Sequence, residues 1–282
     1  MTLVYSCIAP HGGEIIPALA SKSLLSKFDE TRRAMRKLAR KISEARPDTI
    51  VLASPHNLRL MGRIAVVTTE HSSGQLTGSS KKSVFLHANC DKRFAEKIVK
   101  ESERKHLPVV GANFGTASGT ASRVQMDWGT LVPLWFVLKG RGKRIRIVIV
   151  APSREIPLRM NYRFGQLIGR MMKKDGGKRF AFIASADQAH AHSRSGPYGF
   201  SRAAAKYDSF VVRAIEENDL GQLIRLDKKF VESAKPDSLW QMTILAGVND
   251  VVPSESELLS YQVPTYYGMA CASFEPLVNS HK

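Results

Sequence analysis

Cysteine is scarce in this sequence. The 282 residues contain only three cysteines, Cys7, Cys90 and Cys271, which are far apart in the chain. An odd number of widely separated cysteines argues against a disulfide framework, and the absence of a Cys-x-x-Cys pair argues against a zinc finger. This cysteine usage is typical of a reducing compartment, so we expect a cytoplasmic protein.

Long apolar runs are missing as well. No stretch reaches the roughly 18 uninterrupted apolar residues of a membrane-spanning helix. The first residues, Met-Thr-Leu-Val-Tyr, lack the basic start and the small-residue cleavage site of a secretory signal. We therefore expect no association with a membrane.

Acidic side chains are few relative to basic ones, 25 against 42, which gives a formal net charge of +17. This charge suggests a nucleic-acid-binding protein. In the segment TRRAMRKLARKI, however, Met35, Leu38 and Ile42 recur at helical spacing and the basic side chains take the other face. No recurrent aromatic-basic motif supports nucleic-acid binding. The pattern favours a solvated basic surface, and a patch that attracts anionic substrates stays an alternative.

Four apolar segments predict buried strands. They are rich in Val and Ile and nearly continuous rather than alternating, as in a sheet covered on both faces. Helical patterns lie between them, which indicates an α/β fold. We expect a three-layer α/β/α sandwich with a largely buried central mixed sheet, forming a single domain over residues 1–282. The strand segments are LVYSCIAP, DTIVLASP, RIRIVIVAP and RFAFIASA, the helical ranges are 24–45, 91–105, 159–174 and 203–218, and the range 107–133 is expected to be rich in loops.

Histidines follow three of the predicted strands. His11 comes after the first and His56 after the second, and His190 and His192 come after the fourth. Ligands of α/β proteins bind beyond the carboxyl ends of the strands, so these imidazoles could meet in one site. Neutral imidazoles suit zinc, iron, copper or nickel, and two histidines with one carboxylate form the facial arrangement of non-haem Fe(II). A purely structural role for each histidine remains open, and composition does not identify a carboxylate.

Five short segments, in this order and at this spacing, carry a family resemblance. They are APHGG (9–13), SPHN (54–57), MDWGTLVPL (126–134), ASADQAHAHSRSGPYGF (184–200) and AKPDSLWQMTILAG (234–247). Together they resemble the class III extradiol ring-cleavage dioxygenases, the superfamily of the protocatechuate 4,5-dioxygenase catalytic subunit, which also includes the Memo-like proteins.

The resemblance implies that His11, His56 and Asp237 bind Fe(II) and that His190 is the acid–base residue, with His192 as its rival. Manganese or zinc could replace iron in a purified sample. Asp237 stands where the family usually has glutamate, so its helix must sit about a bond length (roughly 1.5 Å) closer to the metal. Trp128 stands where many relatives carry a second active-site histidine.

Three further side chains are candidates for substrate binding, together with Trp128 as a wall of the pocket. Asp187 could orient His190 or another group of the site, Asn57 could donate to a bound oxygen, and Tyr198 could line the pocket. Each also has a structural interpretation as a turn, cap or loop residue. For Tyr266 and Tyr267, a final strand packed in the core is favoured over a place in the pocket.

The predicted function is Fe(II)-dependent extradiol cleavage of a catechol-type or aminophenol-type ring, in the catabolism of aromatic compounds. The partners are then a small aromatic substrate and O2, and we expect a homodimer. The alternative is a Memo-like metal-binding or signalling protein that uses the same scaffold without ring cleavage. The substitutions at Asp237 and Trp128 keep this alternative open.

Overall fold

A computed structural model describes residues 3–56, 58–139 and 145–277. The strands are β1 (Leu3–Ala9), β2 (Thr49–Ala53), β3 (Ile64–Val67), β4 (His71–Thr77), β5 (Ser83–Asn89), β6 (Val109–Ala112), β7 (Arg123–Gln125), β8 (Arg146–Ala151), β9 (Phe180–Ser185), β10 (Ser254–Gln262) and β11 (Met269–Pro276). The helices are α1 (Asp29–Ala45), α2 (Lys92–Arg104), α3 (Trp128–Leu138), α4 (Leu158–Lys174), α5 (Arg202–Glu216), α6 (Lys228–Ala234) and α7 (Leu239–Val251). Short 3-10 helices cover Gly13–Ile15, Ser26–Phe28 and Leu220–Arg225.

Eight strands form one mixed sheet in the order β10-β11-β1-β9-β2-β8-β3-β6. The four central strands β1, β9, β2 and β8 are parallel, and they are the four strands that the sequence predicts. The C-terminal hairpin of β10 and β11 adds antiparallel strands at one edge. At the other edge, β3 runs antiparallel to β8 and pairs in parallel with β6.

Helices cover both faces of this sheet, which confirms the predicted fold class. Along each central strand, side chains alternate between two buried clusters: Val51 packs on the side of α2, α4 and α7, while Ile50 and Leu52 pack on the side of α1 and α3. Because both faces are apolar, the strands read as continuous apolar runs. The three cysteines are free and buried on this scaffold.

Helices α4 and α7 pack at unusually short range. A Cβ added at Gly165 would overlap the carbonyl oxygen of Ile244, and one added at Gly247 would overlap the carbonyl oxygen of Tyr162. The two backbones therefore approach each other through glycine on both helices. This approach holds α7 against the sheet and so fixes the segment that precedes it.

Two details of local structure differ from the sequence predictions. The range 107–133 is rich in loops, as expected, over 113–122, but it also contains β6, β7 and the first half of α3, and β7 joins β4 and β5 in a second sheet of three strands. The helix predicted from residue 24 begins at Asp29, after the short 3-10 helix Ser26–Phe28. Among the described residues, no helix combines the length and apolar character needed to cross a membrane.

Candidate metal centre and active site

The candidate site lies at the carboxyl end of the central strands. His11 follows β1 and His56 follows β2, and these two strands flank β9 in the sheet. Ser185 ends β9 and lies between them. The strand order therefore brings together residues that are far apart in the sequence, at the edge where ligands of parallel α/β sheets bind.

Three side chains converge there on a possible ion. His11 and Asp237 are buried and His56 is partly exposed. His11 Nε2 lies 3.2 Å from His56 Nε2 and 3.4 Å from Asp237 Oδ2. His56 Nε2 lies 2.6 Å from the same carboxylate oxygen. The structure thus brings the three predicted ligands within reach of a shared point.

The separations suit a divalent metal. Two ligand atoms on an ion with bonds of about 2.1 Å lie roughly 3.0–3.4 Å apart at bond angles of 90–110°. Both contacts of His11 fall in this range, whereas the contact between His56 and Asp237 is a shorter, direct one. A shared ion would therefore require His56 Nε2 and Asp237 Oδ2 to lie somewhat farther apart than they do here.

A serine sets the tautomer of His11. Ser185 Oγ donates to the carbonyl oxygen of Gly129 at 2.5 Å, so its lone pairs face His11 Nδ1 at 3.0 Å. His11 Nδ1 therefore carries the proton and donates it to Ser185, which leaves the Nε2 lone pair directed at the cluster. Metal-binding histidines are usually oriented in this way through their second nitrogen.

Asp237 is held from two sides. Arg154 Nη2 contacts Oδ1, so Oδ2 is the oxygen that faces the two histidines. The Arg154 guanidinium also stacks over the ring of Trp240 at 4.5 Å. Burial alone would raise the pKa of Asp237, but the contacts with His11 and His56 outweigh it and hold this pKa well below its usual range.

The backbone around Asp237 pairs with the segment that follows β9. Asp237 N–H donates to the carbonyl oxygen of Gln188 at 3.3 Å, and His190 N–H donates to that of Lys235 at 3.1 Å. Asp237 lies two residues before α7, so the shorter carboxylate reaches the histidines from this paired segment and not from the helix itself.

Asp187 lies beside His11. It accepts the His11 backbone N–H at 2.9 Å through Oδ1, and its Oδ2 lies 3.4 Å from His11 Nε2. Burial of the His11 imidazole opposes protonation, but Asp187 and Asp237 outweigh burial and raise the pKa of His11. Asp187 therefore ties the loop after β1 to the loop after β9 and adds negative charge to the cluster.

His190 has the geometry of a proton acceptor. Its Nδ1 lies 2.9 Å from the carbonyl oxygen of Gln188 and must donate to it, which leaves Nε2 free for a proton. Burial lowers the pKa of His190, although Asp187 and Asp237 oppose this effect. The ring stacks on Tyr267 with centroids 5.1 Å apart. By contrast, Nε2 of the rival His192 lies 2.8 Å from the buried Asp208.

The side chain of Trp128 forms one wall of the site. Its ring lies 4.2 Å from that of His56, and it stands at the start of α3, directly after Asp127, which caps the helix. The ring of Tyr198, which is 55% exposed, meets that of His190 edge to face at 5.4 Å. Both side chains line the cavity. For Trp128 this is the predicted position, and for Tyr198 it agrees with the pocket interpretation rather than with the purely structural one. Asn57 lies outside the described residues.

The site opens into a cavity of about 590 Å³. Its walls include three cationic side chains that the sequence analysis did not select, Arg59, Arg154 and Lys235. They also include Tyr266 and Tyr267, for which the sequence favoured a position in the core. Arg154 follows β8 by three residues, so the strand-end argument that found the histidines applies to it as well. Tyr267 is buried and also packs in the core beside β11.

The fold and the site define a class: an α/β/α protein with a candidate centre of two histidines and one carboxylate. Residues 6–271 match the family described as the catalytic LigB subunit of aromatic ring-opening dioxygenase. The match spans most of the chain, so the protein belongs to this family, and the resemblance that the sequence motifs predict is confirmed.

Two individual proteins are similar over nearly the whole chain. The Clostridium acetobutylicum protein named Protein CA_C1420 is 24% identical over 272 residues, which are 96% of this chain but 57% of that protein. The chain therefore spans little more than half the length of this curated relative. The crystal structure of the uncharacterized protein JW3007 from Escherichia coli K12 is similar with a TM-score of 0.60 at 15% identity, covering 96% of this chain and 99% of the other. At this identity the likeness shows the fold alone.

Proposed function

We propose that the protein is a non-haem Fe(II)-dependent extradiol dioxygenase that acts on a catechol-type or aminophenol-type ring. The observation that carries the proposal is the convergence of His11, His56 and Asp237 beside His190, in a chain of the ring-opening dioxygenase family. Two imidazoles and one carboxylate would hold Fe(II) and leave positions open for substrate and O2. Manganese and zinc fit the same donor atoms.

The chain's own residues would handle the protons. A bound Fe(II) would supply the redox chemistry with O2 and lower the pKa of a substrate hydroxyl. His190 would take the second phenolic proton on Nε2, the nitrogen that its contact with Gln188 leaves free. The ring of Tyr267 stacks on His190 and limits its rotation, and Trp128 closes the cavity beside His56.

The remaining assignments complete the proposal. Asp187 and Tyr198 would contact the substrate from the cavity wall. Asn57 is proposed as a further substrate-binding residue from the sequence alone. The catalytic unit would be one domain over residues 1–282, acting as a cytoplasmic homodimer in the catabolism of aromatic compounds. Nucleic acid would not be a partner.

Anaerobic reconstitution with Fe(II), followed by exposure of a catechol and aminophenol panel to O2, tests the proposal. Ring cleavage should produce products that absorb in the near-visible region, and O2 uptake should match product formed. The variant His190→Gln should bind metal normally and lose most of this activity. A protein that binds Fe(II) with full occupancy and opens none of the rings would contradict the proposal.

One observation favours the second candidate, a Memo-like protein that binds a metal without ring cleavage. The Trp128 ring occupies the space beside His56 with an apolar face, at the position where many members of the superfamily carry a second histidine. The variant Trp128→His separates the two functions. Activity gained only in this variant would favour the non-catalytic protein, whereas activity of the parent chain would exclude it.

A further inference from the structure

A second cavity of about 620 Å³ adjoins the candidate active site. The two cavities share four wall residues, Arg59, Arg154, Lys235 and Pro236. Each cavity alone lies in the range of about 300–1,000 Å³ that holds a whole small-molecule ligand. The two together therefore offer more room than a single aromatic ring needs.

The boundary between the cavities is cationic. Arg154 is engaged by Asp237 and Trp240. In the part of the chain that the structure describes, Arg59 makes one ion pair, a loose one with Glu155 at 3.5 Å, and 61% of its side chain is exposed. Lys235 is exposed, and its ammonium group makes no ion pair within 4.0 Å among the described residues. Arg59 and Lys235 thus keep positive charge available for an anionic ligand group between the cavities.

Lys235 also has an uncommon backbone conformation. Its φ of 56° places it in the left-handed region, where glycine or asparagine is usual, directly after α6. The next residues are Pro236 and Asp237, so this turn places the lysine between the second cavity and the candidate metal ligand.

The second cavity is lined mainly by apolar side chains beyond this boundary. They come from the segment after β8, the 3-10 helix Leu220–Arg225, and α6 and α7. The apolar members include Ile156, Leu158, Ile224, Leu226, Val231, Leu239 and Trp240. Apolar side chains at a partly open surface favour binding of an apolar ligand group, because its burial removes both surfaces from water.

We propose that the substrate of this site has three parts: a ring at the metal cluster, a carboxylate held by Arg59 and Lys235, and an apolar extension in the second cavity. The inference rests on the proposed function for the ring, but the carboxylate and the extension are argued from the boundary and the second cavity alone. It also gives the basic composition a local role, since cations at a cavity mouth attract anionic ligands.

Three probes separate the parts: 2-(3,4-dihydroxyphenyl)octanoate, its primary amide, and 3,4-dihydroxyphenylacetate. Affinities are measured by anaerobic titration calorimetry, with and without Zn(II), so that no turnover takes place. The octanoate should bind about tenfold more tightly than either of the other two, since it alone contacts both the cations and the apolar walls. Added salt should weaken its binding and leave that of the amide unchanged.

Variants assign the effect to residues. Lys235→Gln and Arg59→Gln should each weaken binding of the octanoate severalfold and leave the amide unaffected. Leu226→Asn should weaken both extended probes and leave the phenylacetate unaffected. Arg163→Gln, a surface change on α4 outside both cavities, is the matched control. Thermal unfolding checks that each variant is folded.

The outcomes distinguish this inference from the proposed function. If the octanoate shows its advantage but no ring is opened in the presence of Fe(II) and O2, the three-part site stands and the dioxygenase proposal fails. If rings are opened while all three probes bind equally, or if Lys235→Gln and Arg59→Gln leave the octanoate unchanged, the three-part site is rejected.

Discussion

The hydrogen bond from His11 to Ser185 should control metal affinity. Replacement of Ser185 by alanine removes the acceptor of His11 Nδ1–H at 3.0 Å and the donor to the Gly129 carbonyl at 2.5 Å. Both remaining groups are then buried without a partner. Loss of such a contact to a ligating histidine typically lowers metal affinity about 10- to 100-fold, or about 1.4–2.7 kcal/mol.

The change should also destabilise the folded protein. A buried polar group left without a partner costs about 1–3 kcal/mol, so the apo-variant should unfold at lower denaturant concentration. The matched control is Ser102→Ala on α2, because Ser102 is buried and its hydroxyl makes no hydrogen bond in the described part of the chain. Ser102→Ala should leave metal affinity unchanged.

Anaerobic competition titration with a chromogenic chelator measures both variants, with Fe(II) and with Zn(II). Chemical denaturation of the metal-free forms measures their free energy of unfolding separately. If folded Ser185→Ala binds both metals as tightly as the parent, then Ser185 does not orient His11, and the tautomer argument is wrong.

Three further predictions address the ligand, the base and the core. Asp237→Ala should lose iron when purified without O2, whereas Asp237→Glu should retain part of the iron. Elemental analysis measures the metal content, and full occupancy in Asp237→Ala would reject Asp237 as a ligand. Because burial lowers the pKa of His190, its base form should persist below pH 6.5, and kcat/KM should fall only at more acidic pH. If the acidic limb of the pH profile of kcat/KM is unchanged in His190→Gln, this titration belongs to another group. Gly247→Ala should destabilise the fold by about 1–3 kcal/mol or more, because the new methyl group overlaps the Tyr162 carbonyl; Gly176→Ala, whose added Cβ meets nothing within 4 Å, should change stability little, and equal denaturation midpoints would contradict the packing argument.

Sequence patterns predict the centre of the fold better than its periphery. The strands β1, β2, β8 and β9 are buried on both faces and so appear as apolar runs. The helices α1, α2, α4 and α5 have one apolar face, which periodicity detects. The helix α3 is apolar around most of its circumference and contains Pro133, so it shows no such periodicity. The polar strand β4 gives no alternating apolar pattern either.

The site was predictable only in part for a related reason. His11 and His56 follow apolar strands, and this position alone marks them as candidates. Nothing local distinguishes Asp237 from the other 24 acidic residues, so only the family resemblance selects it. Lys235 and Arg59 line the same cavity walls because distant loops of the fold meet there, and no sequence pattern selects them. The meeting of two side chains at a cavity wall depends on the folded chain, so the spacing of residues in the sequence does not predict it.

The pairing of two loops explains how the shorter carboxylate can serve this site. Hydrogen bonds from Asp237 N–H to Gln188 and from His190 N–H to Lys235 join the candidate ligand and the candidate base in one backbone unit. This pairing fixes their relative position, while the packing of α7 against α4 holds the segment that carries Asp237. In this arrangement the paired segment presents Oδ2 to both histidines. The same unit carries Lys235, so the candidate metal ligand, the candidate proton acceptor and the proposed anion-binding side chain keep a fixed relation to one another.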